Sequence, residues 1–148
     1  MAGTIARFAP PLLLMAVIFA LSAQPNLGTG LGVWDTILRK GAHMTEYAIL
    51  GALLYRALGR VLPSLALGIL YAATDELHQN FVQGRHASPF DVAFDACGLA
   101  IGLALAMFVQ SKRDRAQELR RPAAGRDPRA ARRPPHGAGA AEQPARPH

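Results

Sequence analysis

Within its first 110 residues the sequence carries four apolar stretches, at about 8–23, 43–58, 61–76 and 92–109. Four such runs packed this closely leave no polar faces to meet water. The chain therefore reads as helices that cross a bilayer rather than as buried helices of a water-soluble domain. Each run is about 16–18 residues long, slightly under the roughly 20 that span a bilayer core comfortably. Snorkelling flanks and local thinning accommodate that difference. The expected fold is all-α, a membrane bundle of four transmembrane helices over residues 1–110.

Residues 111–148 differ in kind. They hold ten basic residues against four acidic ones, which accounts for the whole net charge of +6, and the first 110 residues are balanced. Rich in Arg, Pro, Ala and Gly and without periodicity, this second region is expected to be a disordered cytoplasmic tail. Its charge reads as attraction to anionic lipid, not as a nucleic-acid-binding domain. The one cysteine, Cys97, lies inside an apolar run, so no intrachain disulfide forms and the redox compartment is not indicated. No zinc-finger spacing and no phosphate-cradling glycine loop occur, so neither a metal nor a cofactor is expected.

Element boundaries are chemically marked. Pro25, Asn26, Gly28, Gly30 and Gly32 break the chain after the first run. Pro63 suits the first turn of a third helix, and Ser88-Pro89-Phe90-Asp91 reads as an N-cap, an N1 proline and an acidic N3 residue opening the fourth. The first run also fits a cleaved signal peptide, with Arg7, an apolar core and Ala20-Leu21-Ser22 as a small-residue site. With four spans and the basic tail inside, both termini are expected in the cytoplasm. Arg56 and Arg60 then fall on the inner side, whereas Arg39, Lys40 and Arg85 fall outside, against the usual charge bias.

Those exceptions sit among acids. Lys40, His43 and Glu46 recur every third residue and share an arc at the outer end of the second helix. Asp75, Glu76 and Gln79 occupy the outer end of the third, where adjacent Asp75 and Glu76 are expected to send at most one side chain inward. Arg85 follows in the loop, and Asp91 and Asp95 open the fourth helix one turn apart. Ionisable groups at membrane depth are costly unless paired or wet, so their concentration at one end marks a candidate site. A salt-bridge network clamping three helices accounts for the same set. Singly, Asp91 could be a helix cap, Lys40 a snorkelling lysine, and His43, His78 and His86 ordinary interfacial or loop residues. Gly98 and Gly102 continue the Asp91–Asp95 stripe as a small-xxx-small pair, a seam expected to serve packing within the chain.

In order, Lys40-x-x-His43-x-x-Glu46-Tyr47, Asp75-Glu76-x-x-Gln79, Gly84-Arg85 and Asp91-x-x-x-Asp95-x-x-Gly98 resemble the VanZ-like family. The resemblance covers about residues 11–107 and departs at Asp95, where the family pattern commonly has Asn. It implies a multi-pass protein of the bacterial cytoplasmic membrane, related to a protein associated with low-level teicoplanin resistance. The function expected is recognition of an anionic envelope component or lipoglycopeptide at the outer face. Lys40 and Arg85 would hold the anion, and the acids and Gln79 would orient them or meet sugar and amine groups. Two alternatives stay open: an acid/base enzyme acting on a lipid head group through His43 and Glu46, with or without a metal, and a small proton-coupled exporter carrying its proton on Glu46. Membrane lipids are the expected partners, and the sequence does not indicate an oligomeric state.

Overall fold

The computed structural model describes residues 2–25, 32–85 and 88–120. They form four helices, α1 (Ala2–Ser22), α2 (Val33–Leu58), α3 (Val61–Gln79) and α4 (Pro89–Arg120). The protein is all-α, as expected, and every helix is longer than its apolar run. At about 1.5 Å per residue, helices of 19 to 32 residues are roughly 28 to 48 Å long. α1 and α4 each contain a stretch long and apolar enough to cross a membrane. α2 and α3 are of comparable length but place several charged side chains near one end.

Three boundaries differ from the sequence reading. α2 begins ten residues before its apolar run, because Val33–Ala42 is amphipathic and its charges hide the helix from a hydropathy reading. α1 begins at Ala2, six residues before its apolar run, so Pro10 and Pro11 lie inside it. Membrane helices tolerate such interior prolines because neighbouring groups take up the freed carbonyls. α4 continues to Arg120, which corrects the expectation of disorder from residue 111. Residues 116–120, Ala-Gln-Glu-Leu-Arg, are strong helix formers, and the Pro-rich composition begins only at Pro122. The rest of the tail, 121–148, lies outside the described residues, as do 26–31.

The bundle turns its chemistry inside out. Leu62, Leu70, Leu77, Phe81, Phe90, Leu105 and Phe108 are exposed, while Ser22, Ser64, Asp75, Glu76, Gln79 and Asp95 are buried. In water so much apolar surface would drive association; in lipid it is the required exterior. A small core of Ile18, Tyr47, Leu50, Leu54, Ala72 and Leu99 joins all four helices. Gly59 makes the tight α2–α3 turn: at φ 67° it caps α2, its N–H donating to Tyr55 O at 2.8 Å. α4 lies directly on α2. A Cβ at Gly98 or Gly102 would fall on the carbonyl oxygens of Met44 or Ala48, and one at Gly51 on that of Leu99. The small-xxx-small seam is thus used within the chain.

Candidate functional site

At the end of the bundle where α1 and α3 finish and α2 and α4 begin, the helices part around a polar cleft of about 260 Å³. Thr36, Arg39, Lys40 and His43 line it from α2, Glu76 and Gln79 from α3, and Asp91, Phe94 and Asp95 from α4. Gly84 and Arg85 close it from the loop. Seven of the nine residues expected from the sequence meet here: Lys40, His43, Glu76, Gln79, Arg85, Asp91 and Asp95.

Glu46 and Asp75 do not line the cleft. Glu46 lies one turn beyond His43 and is half-buried. Asp75 is buried beneath, where one of its oxygens, Oδ2, accepts from Ser22 Oγ at 2.8 Å, Gln79 Nε2 at 3.1 Å and Tyr47 OH at 3.4 Å. Gln79 also reaches Ser22 Oγ at 3.3 Å. The expectation that only one of Asp75 and Glu76 turns inward is corrected, since both are buried, on different sides of α3. Asp75 faces α1 and α2; Glu76 faces the start of α4, where its Oε1 accepts the Ser88 N–H at 2.7 Å. A helix packed on three sides has room for both.

The cations are held unequally. Lys40 Nζ is ion-paired with Asp91 and lies 5.0 Å from the centre of the Phe94 ring, an arrangement favoured by the ring's negative face. His43 Nδ1 is 3.9 Å from Asp95 Oδ1, beyond hydrogen-bond reach. Arg85 is half-buried, yet its Nε and Nη1 are shielded from solvent and have no hydrogen-bond partner among the described residues. Burial lowers its pKa from the ordinary value; the nearby charge of Arg39 adds to this, and Asp75 and Glu76 oppose it. The loop that holds it is a run of turns, Phe81 N to His78 O, Val82 N to Gln79 O and Arg85 N to Val82 O, with Gly84 at φ 77°. Only a residue without a Cβ takes that conformation readily, which explains Gly84 before Arg85.

Ser88 caps α4 as expected, its Oγ accepting the Phe90 N–H at 3.3 Å. Asp91 does more than cap, because it pairs with Lys40. His78 is a helical residue stacked on Phe19 at 4.0 Å, with a buried Nε2 that has no partner among the described residues. His86 lies outside the described residues. Thr36 and Arg39 also line the cleft, beyond the residues expected there, because α2 starts before its apolar run; their helical spacing to Lys40 and His43 is the signal in the sequence. Phe94 stands one turn from Asp91, and nothing in the sequence separates it from the other apolar residues of its run. Among the described residues no three His, Cys, Asp or Glu side chains converge as a metal site.

An all-α chain with an apolar exterior and a charged cleft at one end is a helical membrane protein. Residues 4–110 match the VanZ/LLP1 family, and the chain belongs to that family. No curated protein and no solved structure matches it.

Proposed function

We propose that the cleft recognises the anionic group of an envelope component or lipoglycopeptide at the outer membrane face. The observation that carries this reading is Arg85, a cation on the cleft wall with two shielded nitrogens that no described residue satisfies. Leaving buried donors unpaired is costly, about 1–3 kcal/mol for each group and more when charged. A site that tolerates the cost is poised to recover it from a ligand. Lys40 and Arg39 on the α2 wall add positive potential, and Gln79 and Glu76 offer hydrogen bonds to hydroxyl or amine groups beside the anion. The excess of positive charge in the tail supports a cytoplasmic C-terminus, and four crossings then open the cleft to the outside.

The test is binding of glycerol 3-phosphate and of teicoplanin to the purified full-length protein in detergent, by calorimetry, beside Arg85→Gln. Binding of either that is lost in the variant supports the reading. Equal binding to the wild type and to Arg85→Gln, or no binding of either ligand, overturns it. In cells, loss of the protein should change lipoglycopeptide susceptibility, and Arg85→Gln should reproduce that change.

A further inference from the structure

The polar cleft has an apolar neighbour. Between α3 and α4 lies a second hollow of about 410 Å³, lined by Ala73, Glu76, Leu77, Ser88, Pro89 and Val92. Glu76 belongs to both walls, so the hollow and the cleft meet at one side chain. Glu76 is tied to the start of α4 through the Ser88 N–H, which fixes the junction. Leu77, on the hollow's wall, is 62 % exposed, so the hollow opens sideways to the surface that faces lipid.

Aromatic side chains mark the depth of this junction. Trp34 on α2, Phe81 after α3 and Phe90 at the start of α4 are all exposed at the cleft's end of the bundle. Trp gathers where bilayer meets water, its ring lying at headgroup level. The cleft is therefore level with lipid headgroups, and the hollow beside it is level with the upper part of their acyl chains.

Resting on the anion-binding reading of the cleft, we propose that the ligand is a membrane lipid with an anionic phosphate headgroup, which enters sideways between α3 and α4. Its phosphate lies against Arg85 and its acyl chain fills the hollow along Ala73, Leu77 and Val92. Lipid tails are as apolar as the helix surface, so the hollow contributes shape rather than transfer energy. The headgroup supplies the attraction, and membrane confinement raises the ligand's effective concentration at the cleft.

The experiment compares phosphatidylglycerol, phosphatidylcholine of the same chains, and glycerol 3-phosphate on the purified full-length protein, with lipid retention read by native mass spectrometry. Phosphatidylglycerol should be retained over phosphatidylcholine by about tenfold or more. Ala73→Phe, which fills the hollow and leaves the cleft residues in place, should remove that preference without weakening glycerol 3-phosphate. A phosphatidylglycerol carrying a photoreactive group in its acyl chain should crosslink to peptides of α3 and α4, a readout that needs no variant. Equal retention of the two lipids, or crosslinking elsewhere, overturns the lipid assignment, and the anion-binding reading stands if glycerol 3-phosphate still binds in an Arg85-dependent way. Absence of binding by every phosphate compound overturns both.

Discussion

Ser22, the last residue of α1, donates a 2.8 Å hydrogen bond to Asp75, a buried carboxylate four residues before the end of α3. With Ile18 in the core and the Tyr71 hydroxyl donating to the Met15 carbonyl, this bond makes α1 a structural member of the bundle. Ser22→Ala leaves Asp75 with fewer donors and should cost about 1–3 kcal/mol. Thermal unfolding in detergent measures it, and an unchanged midpoint would show that the bond contributes nothing.

The contact between α2 and α4 makes a second prediction. A methyl group at Gly102 would meet the backbone of Ala48, and backbone cannot step aside as a side chain can. Gly102→Ala should therefore lower stability by about 3 kcal/mol or more, at the upper end of overpacking costs. Gly41, in the same α2 helix, has no atom of the described residues within 4 Å of where its Cβ would lie. Gly41→Ala should raise stability by about 0.5–1 kcal/mol, because alanine loses less backbone entropy in a helix. The two unfolding midpoints should move in opposite directions.

Sidedness is open to direct measurement. In a Cys97→Ser background, Gln83→Cys reports the loop beside Arg85 and Ser111→Cys reports the far side of α4. A membrane-impermeant thiol reagent should label position 83 in intact cells and position 111 only after lysis. Gln83 is exposed, so its replacement disturbs none of the bonds that fix the loop. The opposite pattern would put the cleft in the cytoplasm and remove the envelope reading.

The fold was legible because apolar runs at this density have few solutions, and the cleft was legible because charges near a membrane need a reason. What stayed hidden has physical causes. The first turns of α2 carry Asp35 and Arg39, so their helical character is masked by charges, one of which equips the site. The division of labour between Asp75 and Glu76 depends on which neighbours surround α3, and spacing along one helix does not contain that information. Ser22 reads as a small residue after an apolar run until the packing of α1 on α3 brings it to Asp75. Glu46 shares the spacing of Lys40 and His43, yet spacing alone does not bring it to the cleft. Lys40 and Asp91, 51 positions apart, share an ion pair that only the parallel placement of α2 and α4 creates.

Arg85 gives the sharpest separation of site from scaffold. A residue kept for stability makes its contacts within the protein, and its removal strands a partner at a cost of several kcal/mol. Arg85 has two shielded nitrogens without partners among the described residues, so in the unliganded protein it is a burden. Arg85→Met keeps the side chain's length and apolar stem while discarding the unsatisfied donors. It should stabilise the bundle by about 1–3 kcal/mol and abolish glycerol 3-phosphate binding, the trade expected where a site is kept at the expense of stability. Arg85→Lys retains charge without the planar fork and should fall between the two. Unfolding midpoints and calorimetry on the same preparations measure both effects. An Arg85→Met protein less stable than the wild type would mean that this arginine holds the loop in place, and the cleft would lose its principal anion-binding residue.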